Sequence, residues 1–222
     1  MNLFPLALNV AGRRCVVVGG GAVAERKTRA LLDCGAHVEV VAPALTAEGL
    51  TELVAAGRVR HVAAAFAPPH LDGETLLAIA ATDQPGVNAV IAQAARARGV
   101  LVNLAAPAAT GEERGEDVGD FGTMATIRRG DLLVALTTGG AGPALAARLR
   151  RELDQRFGPE WAAYVALLGE MRRHAKQTLA DEPARTAALR RLAAADDVRE
   201  RLARGDADGA RRLAAGLLET GP

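Results

Sequence analysis

Short apolar runs alternate with amphipathic stretches through the first hundred residues. Cys15-Val16-Val17-Val18 has no polar alternation, which predicts a strand covered on both faces. Ala22 to Cys34 has helical spacing and ends at Gly35, a residue suited to a helix C-cap. His37 to Ala42 predicts a second strand, stopped by Pro43. Thr46 to Ala56 predicts a helix closed by Gly57, and Val59 to Ala64 a third strand. Beyond the Pro68-Pro69 break, Thr75 to Ala81 is an apolar strand that runs into Thr82-Asp83. Gly86 to Arg98 predicts a helix with Val87, Val90, Ile91 and Ala94 on one face, ended by Gly99, and Val100 to Asn103 a further strand. The opening segment Leu3 to Leu8, broken by Pro5, predicts an edge strand or a packed arm. Alternation of short buried strands with helices points to an α/β fold with a parallel, doubly wound sheet, a Rossmann-like domain. In such sheets ligands lie beyond the carboxyl ends of the strands, here Gly19 to Gly21, Ala42-Pro43, Thr82-Asp83 and Asn103.

The rhythm changes at Ala105. From there to Asp120 the chain holds Gly, Pro and five acids, Glu112, Glu113, Glu116, Asp117 and Asp120, without periodicity. A connection of that length is usually functional. Thr123 to Arg128 and Leu132 to Thr138, joined through Arg129-Gly130-Asp131, are compatible with a β-hairpin. Pro143 then opens a stretch that reads as helical to the end, with a break near Gly205. The expected organisation is a dinucleotide-binding domain over 1–104, a loop and small β element over 105–142, and a helical C-terminal region over 143–222.

Composition narrows the classes. At 222 residues and half hydrophobic, the chain can bury a core, and with 3% aromatics that core is built from Ala, Val and Leu. The balance of 27 basic against 26 acidic residues gives no general pull toward nucleic acid or membrane. No run of about 18 apolar residues predicts a membrane span, and no basic segment followed by a long apolar one predicts a leader, so a soluble cytoplasmic protein is expected. Cys15 and Cys34 are read as small buried hydrophobes. His37, His61, His70 and His174 are scattered, no metal-ligand spacing is present, and no metal site is predicted.

The chemistry-bearing motif is Val17-Val18-Gly19-Gly20-Gly21-Ala22-Val23-Ala24-Glu25-Arg26-Lys27. Gly19-x-Gly21-x-x-Ala24 fits the dinucleotide pattern: a first Gly for the tight turn, a second for close backbone approach to a pyrophosphate, and a small third residue for helix–strand packing. The phosphates then meet the amide end of the helix. Glu39 stands 20 residues after Gly19, a distance typical of a ribose-binding acid, but it falls in mid-strand and is read as structural. With no Arg at the end of that strand, NAD is the default cofactor.

Further motifs follow in order: Phe4-Pro5-Leu6, Val40-Val41-Ala42-Pro43, Ala80-Ala81-Thr82-Asp83 with Asn88, Val102-Asn103, and Arg129-Gly130-Asp131-Leu132 ahead of Thr138-Gly139-Gly140-x-x-Pro143. In this combination the chain resembles the precorrin-2 dehydrogenase and sirohydrochlorin ferrochelatase family, the N-terminal module of siroheme synthase and its stand-alone relatives. The resemblance implies NAD-dependent oxidation of the tetrapyrrole precorrin-2 to sirohydrochlorin, with ferrous iron insertion in several members. It also implies a homodimer joined through the β element, and a helical tail that helps enclose the substrate. By residue match Gly19, Gly21, Ala22 and Val23 hold the pyrophosphate, with Ala24 in the packing slot. Pro43 and Ala44 border the adenosine, and Thr82, Asp83 and Asn103 line the nicotinamide side. Arg128, Arg129, Arg148, Arg150, Arg151, Arg172 and Arg173 are candidates for the substrate carboxylates.

One departure stands out. The family reads Asn-Val-Val-Asp after the fifth strand, its Asp being the acid/base, whereas this chain reads Asn103-Leu104-Ala105-Ala106. The replacement proposed is Asp117 or Asp120 of the following loop, ahead of Glu113 or Glu116; the other reading is a solvated acidic loop, with the proton lost to water or the family's Asp not essential here. The alternative class is a non-catalytic dinucleotide- or tetrapyrrole-binding protein that has lost the acid.

Overall fold

A computed structural model describes residues 4–105 and 119–219. The chain divides into two compact units, Asn2–Thr123 and Met124–Pro222.

The first unit is built on five parallel strands, β1 (Arg14–Val18), β2 (His37–Val41), β3 (Val59–Val62), β4 (Thr75–Ala80) and β5 (Leu101–Leu104), in the order β3-β2-β1-β4-β5. The chain steps outward from β1 to β2 and β3, then crosses to the other side of β1 for β4 and β5. The β1/β4 junction is therefore the switch point at which such sheets bind ligands. Register aligns Val18 with Val41 on one side and Ala80 on the other, so the carboxyl ends share one edge.

Both faces are covered, which is why β1 shows no alternation. Cys15, Val17, Val38 and Val40 pack with Ala24 of α1 (Ala22–Leu32) and with Leu50 and Leu53 of α2 (Glu48–Ala55). Val16, Val18, Val41, Ala78 and Val102 pack with Ile91, Ala94 and Ala95 of α3 (Pro85–Arg96) on the other face. The parallel sheet with helices agrees with the expected fold class. Two details differ. Val90 is 48% exposed, because the buried face of α3 is centred on Ile91 and Ala95, and Ala92 takes the place that Val90 was expected to fill. Cys34 is exposed, since α1 ends at Leu32 and Cys34 falls in the turn beyond it. Cys15 is buried as expected, and burial pushes its thiol up to about 11. Residues 4 to 9 form no regular element, and Phe4 is exposed.

The second unit begins with an antiparallel pair, β6 (Ala125–Arg129) and β7 (Leu132–Leu136), turned at Gly130 with φ +57°. Five helices follow: α4 (Pro143–Arg156), α5 (Glu160–Thr178), α6 (Glu182–Ala193), α7 (Asp196–Ala203) and α8 (Ala207–Glu219). Tyr164, Leu167, Met171, Leu192, Val198, Ala214 and Leu218 form their core. The break predicted near Gly205 is real: Gly205 has φ +80°, and the Asp206 carboxylate accepts the Gly209 amide at 2.8 Å to start α8. No helix among the described residues is long and apolar enough to cross a membrane.

Candidate functional site

The three consecutive glycines have three different reasons to be glycine. Gly19 has φ +129°, and a Cβ there would stand 2.3 Å from the Ala81 carbonyl oxygen. Gly20 is pressed against the loop after β2, where a Cβ would meet the Ala44 carbonyl at 2.1 Å. The Gly20 carbonyl accepts the amides of Thr46 and Ala47 at 2.8 and 3.0 Å, and the Thr46 hydroxyl at 3.2 Å. Gly21 meets no such obstacle: its nearest neighbour would be Thr46 Oγ1 at 3.7 Å, an ordinary contact. The fold itself compels the first two glycines and leaves room for a side chain at the third.

Gly21 is also the N-cap of α1, in extended conformation and with no side-chain cap. The first-turn amides of an uncapped helix, together with its dipole, form an anion-binding end. The small residue at Ala24 is fully buried against β1 and β2, which brings the helix close to the sheet.

A cavity of about 490 Å³ opens above this turn. Val18 to Val23 form its floor, Val41 to Ala44 with Thr46, Ala65 and Phe66 one wall, and Ala81 to Gln84 with Val87 and Ala105 the other. The β2 side is apolar. His61 of β3 steadies it, its Nε2 donating to the Ala42 carbonyl at 2.9 Å. The β4 side is polar. Thr82 is held by Asn88: the Thr82 hydroxyl donates to Asn88 Oδ1 at 2.7 Å, and Asn88 Nδ2 donates to the Thr82 carbonyl at 3.0 Å. Asp83 follows at the lip, exposed, and is the single ionisable side chain among the described residues of the lining.

An uncapped helix end, a glycine with outward room, an apolar wall on one side and a polar one on the other fit a dinucleotide. Eight of the residues expected to bind it line the cavity: Gly19, Gly21, Ala22, Val23, Pro43, Ala44, Thr82 and Asp83. Ala24 lies beneath, in the packing role. Asn103 is buried in β5 and outside the lining. Its Nδ2 donates to the Phe121 carbonyl at 2.8 Å, and its Oδ1 has no partner among the described residues.

The acids expected to replace the family's Asp stand differently. Ala106 and Asp117 lie outside the described residues, as do Glu112, Glu113 and Glu116. Asp120 is described, and its carboxylate is engaged at the outer edge of the sheet. Asp120 Oδ2 accepts the Val102 amide at 3.0 Å, its own amide donates to the Val102 carbonyl at 2.7 Å, and Arg96 Nε is 3.5 Å from Oδ1. Asp120 thus caps the outer edge of β5 in mid-strand, beside the Asn103–Gly119 bridge, and is not part of the lining. Glu39 accepts Arg14 Nη2 at 2.9 Å and Arg60 Nη1 at 2.6 Å, in agreement with a structural role.

Among the arginine candidates, Arg129 pairs with Asp154 at 2.8 Å, Arg148 with Glu152 at 3.5 Å, and Arg150 donates to the Thr126 carbonyl at 3.1 Å. Arg151, Arg172 and Arg173 are exposed. Two residues that sequence reasoning did not put in the site are Asn88 and His61. Asn88 stands with the Ala80-Ala81-Thr82-Asp83 motif in the sequence without a site role, and its place in the first turn of α3, where an Asn reaches back to the preceding loop, is the signal for one. His61 gave no local signal, because its partner lies just past the end of the neighbouring strand.

Comparison with known proteins agrees with this geometry. Residues 6–112 match the family model described as "Putative NAD(P)-binding", and residues 129–156 match "Sirohaem biosynthesis protein central". Siroheme synthase 1 of Aeromonas salmonicida is 37% identical over 223 residues, covering 100% of this chain and 46% of the relative. Siroheme synthase of Chromobacterium violaceum is 36% identical, covering 100% of this chain and 48% of that one. The chain therefore spans about half the length of the curated relatives it matches. The solved structure of SirC, a precorrin-2 dehydrogenase, superposes with a TM-score of 0.72 at 25% identity, covering 96% of this chain and 100% of SirC. The glycine turn and the switch-point cavity agree with these matches: the chain is similar over its length to about half of siroheme synthases and shares its fold with SirC.

Proposed function

We propose that this chain oxidises precorrin-2 to sirohydrochlorin with NAD as the electron acceptor. The observation that carries the reading is Gly21. It stands at the uncapped start of α1, where nothing in the fold forbids a side chain and a pyrophosphate does. Gly21, Ala22 and Val23 hold the phosphates by their amides, and Pro43, Ala44 and Phe66 cover the adenosine. Thr82 and Asp83 border the reacting ring. The bound nicotinamide supplies a two-electron acceptor, while the chain orients it and takes up a proton.

Of the candidate arginines, exposed Arg151, Arg172 and Arg173 have no ion pair with a described residue and are proposed to meet substrate carboxylates. A homodimer is supported by β6 and β7, a two-stranded sheet of a size that is marginal alone, with Leu133 of β7 exposed. Ferrous iron insertion into sirohydrochlorin is the second reaction, with the tetrapyrrole nitrogens as the iron's ligands. The cytoplasm is the compartment that this chemistry implies.

The test is precorrin-2 generated in situ under anaerobic conditions and mixed with the purified chain and NAD. Sirohydrochlorin absorbance rising well above the spontaneous rate supports the proposal, and adding ferrous iron to the same cuvette tests insertion. Oxidation at the spontaneous rate alone, with NAD still bound, supports the non-catalytic reading that the absent acid at Ala106 raises.

A further inference from the structure

We infer that Asp83 is the proton acceptor of the oxidation, in the place that the family gives to the acid missing at Ala106. The inference rests on the proposed function and adds a residue to it. Its starting point is the shape of the cavity. The apolar wall of Pro43, Ala44 and Phe66 lies on the β2 side of the switch point, and the uncapped end of α1 lies in the middle. A dinucleotide with its adenosine on that wall and its phosphates on α1 has its reacting ring on the β4 side, where Thr82, Asp83 and Ala105 form the lining.

On that side Asp83 is the one carboxylate of the described lining. Its side chain has no hydrogen bond or ion pair to any described residue, while the residue before it is fixed by Asn88 at 2.7 and 3.0 Å. A carboxylate that is unpartnered, carried on a braced turn, and open to both cavity and solvent meets the geometric needs of a general base. The other described acid in question, Asp120, is spent on the Val102 amide and Arg96.

The step balances. Oxidation removes a hydride from one atom of the reduced macrocycle and a proton from a second atom. The electron pair of the bond to the departing proton becomes the new double bond. The hydride, with its two electrons, converts NAD to NADH, and the proton goes to Asp83 and from there to water at the lip.

The experiment compares wild type with Asp83→Asn and Asp117→Asn in two readouts. The first is turnover of precorrin-2 with saturating NAD. Asp83→Asn lowers kcat by about a hundredfold or more, the usual size of a lost general base. The second is calorimetric titration with NAD and with NADH, without substrate. A carboxylate beside the ring favours the cationic NAD, so Asp83→Asn shifts the ratio of the two Kd values toward NADH by about two- to fivefold, the range of an exposed charge pair. Turnover by Asp83→Asn at the wild-type rate overturns the inference, as does a collapse of kcat in Asp117→Asn alone. If wild type itself does not oxidise precorrin-2, the proposed function falls, and the Kd ratio then decides by itself: an unchanged ratio removes Asp83 from the ring.

Discussion

Thr82 and Asn88 grip each other from both ends: the hydroxyl of one donates to the amide oxygen of the other at 2.7 Å, and the amide nitrogen returns to the Thr82 carbonyl at 3.0 Å. The pair bridges the end of β4 and the first turn of α3, and Asp83 sits on the turn that they brace. Replacing Asn88 by Ala removes both bonds. The expected outcome is a stability loss of about 1–2 kcal/mol by urea denaturation, with kcat reduced by about tenfold because the turn that carries the carboxylate is no longer braced, and dinucleotide affinity changed far less.

Gly19 and Gly21 predict opposite phenotypes for the same substitution. Gly19→Ala places a methyl 2.3 Å from the Ala81 carbonyl at a φ of +129°, so the protein loses stability or does not accumulate. Gly21→Ala meets only Thr46 Oγ1 at 3.7 Å, so it keeps its melting temperature within a few degrees. Its NAD affinity nevertheless falls by about tenfold or more, since the methyl stands where the pyrophosphate approaches. Thermal unfolding and NAD titration of both variants separate the two roles.

Glu39 is 5% exposed and holds Arg14 and Arg60. Arg14 also pairs with Asp72 at 2.6 Å and hydrogen-bonds Thr75 and the His70 carbonyl. Arg14 and Thr75 begin their strands, so this network joins the amino ends of β1 and β4, away from the cavity. Glu39→Ala removes a buried carboxylate that accepts from the part-buried Arg14 and the exposed Arg60, leaves Arg14 with Asp72 as its carboxylate partner, and costs about 1–2 kcal/mol by denaturant unfolding, with NAD affinity unchanged. A selective loss of NAD affinity would instead make Glu39 the ribose ligand that its sequence spacing suggests.

Burial, with a smaller contribution from the neighbouring Arg26, brings the Lys27 ammonium down from its ordinary value to about 8, and its Nζ donates to Thr123 Oγ1 at 2.5 Å. Below pH 8 both folded and unfolded chains hold this proton. Between about 8 and the ordinary lysine value of 10.5 the folded chain releases it while the unfolded chain keeps it. The unfolded state then binds more protons, so the Lys27 contribution to stability rises with pH across that window. Lys27→Met removes the rise. Denaturation of both proteins at pH 7.5 and pH 9.5, within the window set by that shift, gives wild type a gain relative to the variant. A parallel course of the two proteins would contradict the shift.

What the sequence carried was local chemistry repeated in order. Strand, glycine turn, helix and strand around Gly19-Gly20-Gly21 could be read because each piece is set by neighbours within a few residues, and the parallel order follows from the connections. Gly205 was readable for the same reason. The failures were matters of register and distance. Val90 carries the apolar character expected of the buried face, yet the small Ala92 and Ala95 are what let α3 approach the sheet. Asp120 looks like a loop acid until β5 is seen to be an edge strand with an amide to satisfy in mid-strand. His61 reaches the Ala42 carbonyl across a strand pair, a contact that no local pattern encodes. The different duties of the three glycines also needed coordinates, because spacing cannot say which one is crowded by its own fold.

The central claim is that the switch-point cavity couples a dinucleotide to oxidation of the tetrapyrrole. The most direct measurement is the stoichiometry of NADH formed against sirohydrochlorin formed, under anaerobic conditions, with limiting precorrin-2. The account predicts one NADH for each sirohydrochlorin, with both products strongly reduced in Gly21→Ala. Sirohydrochlorin appearing without NADH, or at the same rate with and without NAD, would contradict it.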